Sequence, residues 1–425
     1  MYLVRCRGES GAPGKLNRRS QGQRLVVFIA AVFAIAVWVA VSVSLALALP
    51  AGASFSFLET WEEYGTQASI PGIAPYVIVD PNTSSIVCGQ MVPWVHPGQN
   101  LTGCYLKIVP NGHGGENPGP TVATIAGQLG NPSQTLITYA WFRAEVAPTG
   151  TAAIFLWCDS THAQGVRGTD QTYLALQSNG RLQLKNSANT NLGNSGAFKL
   201  TFGTALTNWY LLETIIVVGV SSTTAWQQGS IALNIYKSNG LRVDSFGCNN
   251  CATNANNSSY IIDQIALDAE FDDTIIEDFG PTSVINPGTN GAAAFVGPQY
   301  SWYTKPSGDS TPLQYAVTGV THHWQAMSDV PLDSTKYVST ATQGNQDAFT
   351  ANMPTGFGTI TQQALVSFQV SDGAGVRLGT DLSVSPGGMR TLGNQCALVS
   401  AARPFCESFY ANASMPTKIG LELGW

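Results

Sequence analysis

Charge is scarce in this chain. Asp, Glu, Lys and Arg make up 11% of its 425 residues, and the formal net charge of −6 argues against nucleic acid as a partner, because phosphate recognition needs a basic face. Helical periodicity is scarce as well. From Ser54 onward short alternating runs replace it, which excludes a helical class and points to an all-β protein. Metal-binding spacing is missing too. Cys248-Asn249-Asn250-Cys251 is a lone CxxC without a nearby His or second CxxC, so a zinc site lacks half its ligands and a small disulfide loop is expected. Around Asp159, Ser160 and His162 there is no strained nucleophile turn and no oxyanion motif, which leaves a hydrolase triad unsupported. His322-His323-Trp324 is read as strand. Neighbouring strand residues point to opposite faces, so the two imidazoles do not share an ion.

One long apolar run is present. Residues 25–49 carry no charge, and the tail before them holds Arg5, Arg7, Lys15, Arg18, Arg19 and Arg24 against Glu9 alone. Such a run reaches roughly 37 Å as a helix, enough to cross a ~30 Å hydrocarbon core, with the basic flank on the cytoplasmic side. A signal anchor through the membrane is one reading. A cleaved signal peptide is the other, because Pro50 breaks the helix and Ala51-Gly52-Ala53 offers small residues to a peptidase. A start assigned too early is the third.

The cysteines fit export to an extracellular location. Cys88/Cys104 and Cys396/Cys406 are expected as loop-closing disulfides, with Cys248/Cys251 as a third small loop and Cys158 left over. Sequons at Asn82, Asn100, Asn256, Asn257 and Asn412 mark surface loops where a host glycosylates.

Strand signals then set the architecture. In the run 136–146, Ile137, Tyr139 and Trp141 share one face, while 151–157, 209–220 and 260–267 are more continuously apolar and suit central strands. Asn179-Gly180 and Asn239-Gly240, each between two strand-like runs, predict hairpins with type I′ turns. The Gly- and Pro-rich stretch 279–291 reads as a boundary, and 360–370 and 418–423 as strands beyond it. The expected organisation is a basic tail (1–24), the apolar segment (25–49), a β-sandwich (54–278), a linker (279–300) and a second, smaller antiparallel β-sandwich (301–425).

Residues 55 to about 275 resemble a concanavalin A-like, laminin G-type jelly roll. The resemblance rests on Phe57-Leu58-Glu59-Thr60-Trp61, the paired strand-Asn-Gly-strand units, Asn208-Trp209-Tyr210 and a closing run from Tyr260 to Leu267. Residues 279–425 resemble a β-rich module of minor structural proteins of tailed phages, through Gly280-Pro281 to Gly291, Tyr315, the run from Asp329 to Val338, Gln346-Asp347-Ala348-Phe349 and Ile419-Gly420-Leu421-Glu422. The resemblances imply a non-enzymatic virion or extracellular structural protein that binds a glycan or protein surface and assembles with other virion or surface subunits or copies of itself. A surface adhesin or lectin held in the membrane by 25–49 is the alternative.

A secreted jelly-roll glucanase is the second alternative, because Asp268-Ala269-Glu270-Phe271-Asp272 is similar to the carboxylate strand of laminarinase-type enzymes. The fit is poor, since residues i and i+4 of a strand lie roughly 13 Å apart and a retaining pair needs about 5 to 5.5 Å. Asp268, Glu270, Asp272 and Asp273 are instead the calcium candidates. Eight acidic residues and no Lys or Arg occupy 243–304, and calcium takes hard carboxylate oxygens, as laminin G-like folds often provide. No other cofactor is implied. Trp94, Trp226 and Trp302, together with Tyr300 and Tyr303, are the aromatic side chains expected in loops where a sugar ring can stack.

Overall fold

The computed structural model describes residues 54–68, 76–78, 84–95, 102–109, 121–122, 135–158, 172–220, 222–224, 228–254, 262, 264–267, 274–286, 295, 297–298, 300–301, 303–330, 333, 335–342, 344–352, 363–368, 377–383, 396–397, 405–410 and 418–424. Contacts divide the chain at Ala48, and every described residue belongs to the unit Leu49–Trp425. No described helix is long and apolar enough to cross a membrane; residues 25–49 lie outside the described ones.

Among the described residues from Ser54 to Asn286 there are fifteen strands: β1 (Ser54–Glu59), β2 (Tyr76–Ile78), β3 (Ser84–Met91), β4 (Thr102–Ile108), β5 (Thr121–Val122), β6 (Thr135–Val146), β7 (Thr151–Cys158), β8 (Thr172–Gln177), β9 (Leu182–Asn186), β10 (Asn191–Asn194), β11 (Tyr210–Val217), β12 (Gly229–Lys237), β13 (Arg242–Cys251), β14 (Gln264–Leu267) and β15 (Ile276–Asn286). They pair antiparallel into an eight-stranded sheet, ordered β13-β12-β11-β6-β15-β4-β3 with β1 also on β15, and a seven-stranded sheet, ordered β10-β9-β8-β7-β14-β5-β2. The two sheets enclose one core, in which Phe142, Leu212 and Leu233 of the larger meet Trp157, Leu174 and Ile265 of the smaller. As the apolar runs predict, β7, β11 and β14 lie inside their sheets.

Both Asn-Gly hairpins form, with a different turn. A type I′ turn needs positive φ at two residues, yet at these tips the glycine alone has it: Gly180 at +82° and Gly240 at +80°. Gly180 N donates to Gln177 O and Gln177 N to Arg181 O, which is a type I turn followed by a left-handed glycine, and Lys237, Gly240 and Leu241 repeat it. The asparagine is used as a cap. Asn179 Oδ1 accepts from Arg181 N and Asn239 Oδ1 from Leu241 N, so the side chain adds a bond across the turn that the backbone closes.

The boundary expected at 279 is corrected. Gly280-Pro281 lies inside β15, which pairs with β6 along one side and with β4 and β1 along the other. The register shifts between Phe279 and Thr282, so these two residues form a β-bulge, where proline's missing N–H is tolerated. Glycine is required here. A Cβ on Gly280 would lie 2.5 Å from the Trp94 ring and 2.9 Å from Trp141 Cβ, while its carbonyl accepts from Trp61 Nε1. The strand that closes the sandwich against β1 is therefore β15, and the 260–267 run supplies the inner strand β14 instead.

Residues 306–424 form β16 (Pro306–Leu313), β17 (Ala316–Thr318), the one-turn helix α1 (His323–Ala326), β18 (Tyr337–Ser339), β19 (Gln346–Ala351), β20 (Gln363–Phe368), β21 (Arg377–Ser383), β22 (Cys396–Ala397), β23 (Phe405–Tyr410) and β24 (Lys418–Gly424). A five-stranded sheet, β16-β19-β24-β21-β22, is accompanied by the pairs β17-β18 and β20-β23, all antiparallel. His322-His323-Trp324 is not strand. His322 caps α1, and the His323 ring lies 2.6 Å from the buried Asp347 carboxylate, which also accepts the amides of Gln314 and Tyr315. The carboxylate thus fastens α1 to β19.

Candidate functional site

Alternation along the central strands of the larger sheet sends every second residue away from the inter-sheet core. In an antiparallel sandwich such a face is usually wet and polar. Here it is aromatic. Ile137, Tyr139 and Trp141 of β6, Leu211 of β11, Tyr236 of β12, Tyr105 of β4 and Ile285 of β15 form a second buried cluster with Val92, Trp94 and Trp209. β6 is in consequence buried on both faces from Leu136 to Ala144. Its expected alternation is real, but neither side of it is solvent.

Two chain segments lie over this face. Trp94, expected as a loop aromatic open to a ligand, is 1% exposed; it meets Trp209 edge-on at 4.7 Å and Trp141 at 5.9 Å and presents no free face to a sugar. Beside it, Ser301 N donates to Trp94 O, and Val95 bridges Ser301 in parallel. Gly297 N donates to Glu213 Oε1. Gly297, expected in the linker, and Ser301, expected to open the second sandwich, are thus both tied to the first one. Flanking these anchor points, Tyr300 is 49% and Tyr303 36% exposed. Trp226 and Trp302 lie outside the described residues.

A polar network occupies one end of the same face. Asp278 of β15 accepts from Arg143 Nε at 2.8 Å and Nη2 at 2.7 Å; Arg143 Nη1 donates to Thr204 O; Glu145 lies 3.3 Å from Arg143 and 2.6 Å from Lys107. The guanidinium also stacks over Trp209 at 4.6 Å and Tyr105 at 5.3 Å. Burial pushes the Asp278 carboxyl up to about 7, against the pull of Arg143, and the negative charge of Glu145 adds to the rise. Burial raises Glu145 too, but hydrogen bonds with Lys107 and Asp278 outweigh it and hold this carboxyl below its ordinary value. Tyr105 is raised by burial and by Asp278.

A second polar group sits further along, on β11 and β12. Tyr236 donates to Glu213 Oε2 at 2.8 Å, Asn234 Nδ2 donates to Tyr236, and burial followed by the Glu213 charge pushes the phenol up to about 12. These buried ionisable groups carry almost no mark in the sequence. Arg143 and Asp278 are 135 residues apart, and the available signal is local: two charged residues, Arg143 and Glu145, at spacing two near the end of an otherwise apolar strand.

Of the expected disulfides, Cys88–Cys104 and Cys248–Cys251 are formed. The side chains of Cys396, Cys406 and Cys158 lie outside the described residues, as do Asp268, Glu270, Asp272 and Asp273, the glucanase-like motif and all five sequons. Among the described residues, no three His, Cys, Asp or Glu side chains are grouped to hold a metal ion.

No family model matches the chain, and no curated protein matches it. Solved structures overlap part of it. Arcelin-5, a lectin-like defence protein from Phaseolus vulgaris, has a TM-score of 0.27 at 9% identity, covering 48% of this chain and 98% of its own. Peanut lectin with a 9mer peptide has a TM-score of 0.29 at 8% identity, with 55% and 97% covered. A bifunctional GH43-CE protein of Bacteroides eggerthii has a TM-score of 0.28 at 9% identity, covering 42% of this chain, which spans 21% of that one. At these values the likeness is a partial overlap of strands and says nothing of ligand or activity.

Proposed function

We propose that this chain is a non-enzymatic binding protein of a virion or cell exterior, and that its jelly-roll-like sandwich recognises a glycan through aromatic side chains beside the roof of the larger sheet. The observation that carries the proposal is the placement of Tyr300 and Tyr303. Both residues are solvent-exposed, while the backbone between them is pinned at Ser301 to Trp94. An exposed tyrosine on a backbone held this way suits stacking against the C–H face of a pyranose, at small cost in side-chain entropy. The Arg143–Asp278 network is assigned a structural role. Its carboxylate is 0% exposed and its guanidinium is satisfied from several sides, so neither reaches a substrate.

The virion role rests on the resemblance of the C-terminal residues to phage structural modules. Assembly with neighbouring subunits or further copies belongs to the same proposal, as does membrane attachment through residues 25–49 and a calcium ion at Asp268, Glu270, Asp272 and Asp273. A glycan array probed with the full-length chain, with and without calcium, tests the binding role. Retention on a defined set of glycans is expected. No retention in either condition removes glycan recognition from the account, and calcium-independent retention removes the ion.

A further inference from the structure

Residues three apart in a regular strand are separated by about 10 Å, at roughly 3.3 Å per residue. Cys248 and Cys251 lie in β13 with their Cα atoms 6.1 Å apart. The bond therefore requires a shortened strand end. Cys251 pairs with Gly229 and Asn249 with Ser230, leaving Asn250 as the extra residue of a bulge, in the left-handed region at φ +55°.

Beyond the bulge, residues 252–254 join the two sheets. Ala252 O accepts from Asn186 Nδ2 at 2.7 Å and Thr253 O from Thr172 Oγ1 at 2.6 Å, both donors belonging to the smaller sheet. Thr253 Oγ1 accepts from Gly219 N at 2.8 Å and donates to Val217 O at 3.0 Å, and Asn254 N donates to Gly219 O, all at the end of β11 in the larger sheet. Thr253 and Asn254 are fully buried, and Gly229 must be glycine because a Cβ there would lie 2.5 Å from Thr253 Oγ1. Earlier on β13 the same side is closed by contact with β10 and the residues after it, where Gly196 N donates to Asp244 Oδ2. Without the bulge β13 pairs one residue out of step, and a one-residue slip turns every following side chain to the opposite face. Thr253 would leave the seam.

We propose that Cys248–Cys251 is a reducible clasp that fixes the register of β13 and so holds this side of the sandwich closed. Asn249 and Asn250 are exposed and Cys248 is half-buried, so an external thiolate has access to the bond. A dithiol reductant attacks one cysteine sulfur to give a mixed disulfide. Its second thiol then resolves that bond: the reductant leaves as a disulfide, and the two cysteines gain two electrons and two protons.

The test is graded reduction of the full-length protein by dithiothreitol, with differential alkylation and amide hydrogen exchange read together. Cys248 and Cys251 should be alkylated before Cys88 and Cys104, and exchange at the Gly219 and Asn254 amides should rise more than tenfold while the amides of β6 stay protected. The double variant Cys248→Ser/Cys251→Ser should show the same fast exchange without reductant. If that variant does not fold, selective reduction of the native chain still decides. Unchanged exchange after the bond opens, or reduction of Cys88–Cys104 first, overturns the proposal.

Discussion

Raising the pH across neutrality should withdraw stability from the sandwich through one carboxyl group. Asp278 is fully buried between Arg143 and Glu145, and its pKa is raised from 3.8 to about 7, chiefly by burial. An acid whose folded pKa lies above its unfolded value binds more protons when folded. Its stabilising contribution is therefore complete below about pH 4 and is lost as the pH rises through about 7. The interval of about 3 pH units, at 1.36 kcal/mol per unit, sets an upper bound of about 4 kcal/mol. Other carboxylates contribute pH dependence of their own, so the informative quantity is the difference between the wild type and Asp278→Asn, which is neutral throughout. Denaturant unfolding followed by tryptophan fluorescence at pH 4, 6 and 8 measures it, because Trp141 and Trp209 lie in the same cluster. The variant should gain on the wild type steadily from pH 4 to pH 8, by up to about 4 kcal/mol. A gap that stays constant, or that moves in favour of the wild type, would show that the Arg143 pairing outweighs desolvation and refute the reasoning.

Gly280→Ala should destabilise the sandwich by about 1–3 kcal/mol in the same unfolding assay, because its Cβ meets two tryptophans across a rigid bulge. Gly180→Ala should cost a similar amount, roughly 1–3 kcal/mol, since φ is +82° and the new methyl lies 2.4 Å from Leu200 O. Glu213→Gln should lower the Tyr236 pKa from about 12 toward 10, read by ultraviolet titration of the phenolate; an unchanged value would mean that burial alone sets it.

The larger share of the fold is legible where a signal is local. Ile137, Tyr139 and Trp141 do share a face, and both Asn-Gly hairpins form where expected. The hidden part depends on partners distant in sequence. Gly280-Pro281 has the composition of a linker, and only the approach of Trp61, Trp94 and Trp141 from elsewhere in the chain shows it to be a bulge in a buried strand. Trp94 carries no sequence mark separating a roof over a sheet from a ligand platform; the difference is the pinned pairing with Ser301 more than two hundred residues later. The histidine pair reads as strand as long as neighbours alternate, whereas Asp309 accepts the Trp324 amide and Asp347 binds the His323 ring, and together they favour a helical turn.

Glycan recognition beside the aromatic roof is the central claim, and it is tested most directly by titrating the best array ligand into the wild type and into Tyr300→Ala/Tyr303→Ala. Both residues are exposed, so the variant should stay folded, with wild-type tryptophan fluorescence, while affinity falls at least tenfold, about 1.4 kcal/mol or more. Unaltered affinity in a folded double variant would contradict the claim and place the binding surface elsewhere.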